Sequence, residues 1–156
     1  MSKTIVCTGG IGSGKSYFVK VLQKIGVPVY FSDQRAKELY SLDQQLGKEL
    51  AVLLGEDIFE NGFLRKDIMA SRIFSDTSLL AEVNKLVHPK VLDDFLIWRT
   101  EREERGDPLV VLESAIYFET PIFHSVPDIV VVVWAPEDIR IKRVMERDGI
   151  PEHRVR

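Results

Sequence analysis

The sequence predicts an α/β fold, a parallel sheet interrupted by a helical insertion, and three observations carry that prediction. A short β-branched run stops at a glycine-rich turn, then leads into a helical pattern and a second strand. A long stretch of helical periodicity follows, with no convincing strand in it. Two further apolar runs and a closing helix complete the chain. Strands and helices alternating in this order build βαβ units, whose strands pair in parallel.

Thr4-Ile5-Val6-Cys7-Thr8 is a continuous apolar run ending at Gly9-Gly10, as suits a strand buried on both faces. From Ser16 a helix is predicted, with Phe18, Val21, Leu22 and Ile25 recurring at helical spacing and Gly26 as its natural terminator. Pro28-Val29-Tyr30-Phe31 reads as the second strand, with proline tolerated at its start. Helical periodicity dominates from about Gln34 to Glu104, and Asp107-Pro108 closes that stretch. Leu109-Val110-Val111-Leu112 is the third strand and Ile129 to Trp134 the fourth. Ala135-Pro136-Glu137-Asp138 opens the last helix, with proline and acids in its first turn. Trp134 and the other large aromatics are expected in the core.

Composition narrows the functional classes. The 156 residues are 45% hydrophobic and 29% charged, enough apolar content for a core with a soluble surface. A net charge of −3 argues against general nucleic-acid binding, which needs clustered Lys and Arg. Any phosphate site must be built locally from a few cations and backbone amides. The single cysteine, Cys7, permits no internal disulfide and reads as small core filler, consistent with a reducing compartment. The longest apolar stretch, Ile129 to Ala135, falls far short of the ~20 residues that span a bilayer. With no signal-like segment at the start, a cytoplasmic location and no membrane partner are expected. No feature sets an oligomeric state.

The strongest local signal is Gly9-Gly10-Ile11-Gly12-Ser13-Gly14-Lys15-Ser16, which satisfies G-x-x-x-x-G-K-[ST]. Glycines let the chain take positive φ, so successive N–H groups converge on phosphate oxygens. The following helix adds the favourable end of its dipole. Lys15 reaches the β- and γ-phosphates of ATP, and the Ser16 hydroxyl ligates Mg²⁺. Gly10 through Ser16 are therefore the expected ATP-binding residues, with Lys15 also catalytic.

What accepts the phosphoryl group must be read elsewhere. A GTPase-like switch should show Asp-x-x-Gly after a strand and an Asn/Thr-Lys-x-Asp base reader. Neither is present, since Asn84-Lys85 is followed by Leu86-Val87. A kinase instead places a carboxylate at the end of the second strand. Asp33 fills that position, two residues past Phe31, and is the expected general base; its alternative role is to cap the next helix. Glu113 ends the third strand, where an acid holds Mg²⁺ through water or is simply an exposed strand-end carboxylate. Arg140, Arg143 and Arg147 share one helix face at i, i+3 and i+7. Arg143 and Arg147 are expected to close on the phosphates, and Arg140 is left undecided.

Nearly the whole chain resembles the dephospho-coenzyme A kinase family. The opening Thr8 to Ser16 is similar to that family's opening, and Phe31-Ser32-Asp33 to its strand-two motif, usually Asp-Ala-Asp. Gly55-Glu56-Asp57 through Asn61-Gly62, Arg65-Lys66 and Ile73-Phe74-Ser75-Asp76 resemble its helical insertion. Leu86-Val87-His88-Pro89 resembles its His-Pro element, Val111-Leu112-Glu113 through Phe118-Glu119 its third-strand segment, and Arg143 to Gly149 the start of its lid. The resemblance implies a three-layer α/β/α P-loop kinase fold. It divides the chain into a P-loop core over 1–34 and 105–139, an inserted helical substrate-binding subdomain over 35–104, and the start of a lid over 140–156. It implies phosphorylation of the ribose 3′-hydroxyl of dephospho-coenzyme A by Mg·ATP, as the last step of coenzyme A synthesis. Asp33 is then the base, Lys15 and Ser16 serve phosphate and metal, and Arg143 and Arg147 are lid cations. Arg65, His88 and Glu119 shape the acceptor site, although a lone His before Pro is on its own a structural feature.

The chain departs from the family pattern in two places. Ser114-Ala115 stands where a Pro usually follows the acid by two residues, which alters the local turn. The chain also stops at Arg156, inside the lid, so a sheet edge and part of the adenine pocket are expected to be missing, with activity depending on them. The alternatives are another small-molecule P-loop kinase, such as one acting on a nucleoside monophosphate, and a non-catalytic nucleotide-binding module.

Overall fold

The computed structural model describes residues 2–155. Its central sheet has the strand order β2-β5-β1-β6, with β1 at Lys3–Thr8, β2 at Val29–Phe31, β5 at Leu109–Glu113 and β6 at Ile129–Val132. All three pairings are parallel, and the registers Cys7↔Glu113, Phe31↔Glu113 and Thr8↔Val132 bring the carboxyl ends of the strands to one edge. In open α/β sheets that edge is where ligands bind.

Burial explains why β1 and β5 are central. Val6, Cys7, Val110 and Val111 have no exposed surface, and Leu112 has 1%. Cys7, Val19 and Val111 form a small core, against which Ile5, Phe18, Leu22, Val27, Val29, Phe31 and Val133 pack. Burial lifts the Cys7 thiol to about 11, with the Glu113 carboxylate adding to the rise and Lys15 opposing it. The thiol therefore stays protonated as core filler. The helix after β1, α1 (Lys15–Lys24), turns Val19 fully inward, whereas Val21 and Ile25 of the predicted stripe are 41% and 71% exposed. Ile25 is the C-cap residue, beyond the last turn that faces the sheet.

The described residues group into two compact units, one running through Phe31 and resuming at Trp98, the other Ser32–Ile97. The second contains α2 (Ser32–Leu42), α3 (Gln44–Leu54), a 3₁₀ turn at Glu56–Ile58, α4 (Lys66–Phe74) and most of α5 (Thr77–Glu104). Its buried residues follow helical spacing: Leu46, Leu50 and Leu54 on α3, and Val83, Val87, Val91 and Phe95 on α5. The Asp43 side chain caps α3 by accepting from the Leu46 N–H at 3.0 Å.

The insertion is not purely helical. Phe59–Glu60 (β3) and Phe63–Leu64 (β4) pair antiparallel as a hairpin, where no strand is predicted. Asn61 and Gly62 both take positive φ, 52° and 80°, which is what a two-residue primed turn requires and what Asn-Gly favours. The prediction for Trp134 is also overturned. Strand β6 ends at Val132, and Trp134 lies beyond it at 73% exposure. Nothing pairs with the outer side of β6 among the described residues, so Ile129 and Val132 on it are more than half exposed too.

Candidate active site

The loop between β1 and α1 forms the first part of the site. Gly12 and Gly14 have φ of +75° and +98°, a conformation that glycine adopts without steric cost. The Ser13 N–H turns back onto the Gly10 carbonyl at 3.1 Å, and α1 begins at Lys15. This loop lines a cavity of about 390 Å³ made by Gly9 through Ser16 with Ala115, Arg143 and Arg147. Amide groups, a helix N-terminus and cationic side chains thus face one space, as an anion requires.

The helix after β6, α6 (Glu137–Asp148), bears on this loop directly, and it is not the last helix as predicted, since a short one at Glu152–Val155 follows. Arg140 Nε donates to the Ile11 carbonyl at 3.2 Å, and an Arg143 guanidinium nitrogen donates to the Gly12 carbonyl at 3.1 Å. Loop carbonyls are thereby turned onto α6. A Cβ at Gly12 would collide with the Arg140 carbonyl, and one at Gly10 would come within 3.2 Å of its guanidinium. Arg140, undecided from sequence, is therefore built into the cradle; its i, i+3 spacing from Arg143 was the available signal. Arg147 lines the cavity but is paired with Asp148 at 2.8 Å.

Lys15 and Glu113 form an ion pair at 2.6 Å, each with only 13% of its side chain exposed. The bland reading of Glu113 as an exposed strand-end acid is thus excluded. Among the described residues no three His, Cys, Asp or Glu side chains gather to hold a metal. A divalent ion at this site must take most of its ligands from phosphate and water, the usual condition of Mg²⁺ beside nucleotides. The residues fit that condition: the exposed Ser16 hydroxyl, the Glu113 carboxylate and a buried Ser13 Oγ with no hydrogen-bond partner.

Asp33, Arg65 and His88 belong to the second unit. Asp33 is exposed in the first turn of α2, two residues beyond β2, so its acid also suits the helix dipole. Arg35 clamps α2 to α5 by two hydrogen bonds to Asp94, at 2.7 and 3.0 Å. His88 of α5 is half-buried, and burial lowers its affinity for a proton while the Asp33 charge pulls the other way. Asp33 and His88 are therefore within electrostatic reach of each other. Tyr40 joins them, its phenol raised first by burial and then by Asp33. Arg65 faces Glu60 across the hairpin at 3.8 Å. Glu119 is exposed in the turn after β5, with its N–H on the Ile116 carbonyl, and does not line the loop cavity. Ser114 of the departing Ser-Ala pair is buried, and its hydroxyl accepts from the Ile116 N–H. No helix among the described residues is long and apolar enough to cross a membrane.

Comparison with known proteins fits this geometry. The family model for dephospho-CoA kinase matches residues 3–156. A dephospho-CoA kinase from Porphyromonas gingivalis is 48% identical over 146 residues, covering 94% of this chain and 70% of that protein. One from Bacteroides fragilis is 38% identical over 149 residues, covering 96% and 71%. The crystal structure of TT1252 from Thermus thermophilus superposes with a TM-score of 0.81 at 32% identity, covering 99% of this chain and 76% of that one.

Proposed function

This chain belongs to the dephospho-CoA kinase family, and from that premise we propose how its residues divide the work of the reaction. The reaction is the ATP-dependent phosphorylation of dephospho-CoA in coenzyme A biosynthesis. The acceptor is the ribose 3′-hydroxyl. Phosphoryl transfer leaves the protein two tasks, positioning and charge stabilisation. The loop Gly10 to Ser16 receives the phosphates, and Lys15, Arg143 and Arg147 supply positive charge as negative charge moves to the leaving oxygen. Mg²⁺, held by Ser16 and through water by Glu113, would neutralise phosphate oxygens when bound. Asp33 accepts the hydroxyl proton as the oxygen attacks. The Asp33 charge acts on His88 and Tyr40, while Arg65 and Glu119 serve the acceptor. Arg140 positions the loop and does not touch substrate.

The observation that carries this reading is the cavity of about 390 Å³, where glycine backbone and cations converge. The test is product mass and ³¹P NMR after incubation with Mg·ATP and dephospho-CoA, in parallel with its 3′-deoxy analogue. Coenzyme A from the first and no phosphorylation of the second is the expected result. A phosphorylated 3′-deoxy analogue would overturn the assignment of the hydroxyl.

A further inference from the structure

Two groups compete for the charge of Lys15. It lines the phosphate cavity at the start of α1, yet its ammonium sits 2.6 Å from the Glu113 carboxylate. Each side chain keeps only 13% of its surface exposed, so water screens the pair weakly. The other cations around the loop are held differently. Arg140 and Arg143 donate to the neutral carbonyls of Ile11 and Gly12. Arg147 pairs with Asp148, where the two side chains are 60% and 39% exposed. Of these four, Lys15 alone is tied to a largely buried acid.

The two partners differ in freedom. Glu113 ends β5, whose backbone is fixed on both sides, opposite Cys7 of β1 and Phe31 of β2. Lys15 has a flexible four-carbon stem that can turn its ammonium to a new acceptor. A phosphate that draws Lys15 away therefore leaves the Glu113 carboxylate behind, largely buried and beside added negative charge. Stranding one member of such a pair costs far more than it does at the surface. A divalent ion arriving with the phosphates would replace the lost counter-charge, and phosphate alone brings none. We propose that Glu113 is a specificity-determining residue: by holding Lys15 as its counter-ion, it sets the loop against metal-free polyphosphate and in favour of the metal complex. The proposal rests on the reading of the loop as the phosphate site.

Inorganic triphosphate is the probe, since it carries phosphates without a base or an acceptor. Its binding to this chain is measured by calorimetry in excess Mg²⁺ and in chelator, at matched ionic strength. The parent should bind the metal-free probe more weakly, by roughly tenfold or more. Glu113→Gln should tighten metal-free binding by roughly tenfold and leave the Mg-bound affinity equal or weaker, so that the preference collapses. Asp148→Asn removes the same charge from an exposed pair and should move both affinities alike. Equal affinity of the parent for the two forms would overturn the proposal, whether or not the variant folds. So would a Glu113→Gln protein that loses both affinities by the same factor, the mark of a merely structural acid. A preference narrowed as far by Asp148→Asn would also overturn it, leaving a general effect of charge. Failure of the parent to bind either form would withdraw the loop as phosphate site and the proposal with it, whereas binding without preference withdraws the proposal alone.

Discussion

Gly12→Ala measures the contact between the phosphate loop and α6. Gly12 has φ of +75°, and a Cβ there overlaps the Arg140 carbonyl. The left-handed backbone alone costs an L-residue about 1–2 kcal/mol. Relieving the overlap requires α6 to draw back, which removes the bonds from Arg140 to Ile11 and from Arg143 to Gly12. Both bonds are exposed, so each sits at the low end of the usual range, about 0.5 kcal/mol. The sum is about 2–3 kcal/mol. Gly26 provides the reference: its φ is +92°, but nothing lies within 4 Å of a Cβ. Gly26→Ala therefore reports backbone strain alone. Urea denaturation of the two variants should differ by about 1 kcal/mol on the hydrogen-bond term above. Only Gly12→Ala should lose affinity for ATP. Equal stabilities and equal ATP affinities would refute the idea that close approach, rather than backbone conformation, sets this position.

Other predictions follow from single features. Lys15→Met and Glu113→Gln each leave a largely buried charge unpaired, so each should destabilise by up to about 3 kcal/mol, with the double variant well short of the sum; additive effects by urea titration would mean that the pair is not coupled. His88 binds its proton more weakly folded than unfolded, because burial outweighs the pull of Asp33. The unfolded chain then gains the proton first, so stability is complete above the ordinary value of 6.5 and falls as pH drops below it. His88→Gln should flatten that acid-side decline in Tm, and parallel pH curves for parent and variant would contradict it.

How much was legible in the sequence varied with the range of the interactions. The strand, glycine turn and helix around Lys15 are set by local backbone needs, and β1, the loop and α1 stand where those needs put them. The hairpin at Asn61-Gly62 was equally local but was hidden by two-residue strands within a helical stretch. Arg140 could not be assigned, because its role depends on α6 meeting carbonyls of Ile11 and Gly12 some 130 residues away in sequence, at separations of 129 and 131. The pairing of Lys15 with Glu113 depends in the same way on strand register. Trp134 was misjudged because size suggests burial, whereas its position past the end of an edge strand decides exposure. An apolar cavity of the insertion arises from α2, β4, α4 and the start of α5 together, and no single periodicity announces it.

The most direct test is a single-turnover measurement on Asp33→Asn with Mg·ATP and dephospho-CoA, beside equilibrium ATP binding. Loss of the general base should slow transfer by roughly 10²–10⁴ while ATP affinity is kept. Transfer at the parental rate would contradict the assignment of Asp33, and with it the mechanism built on the end of β2.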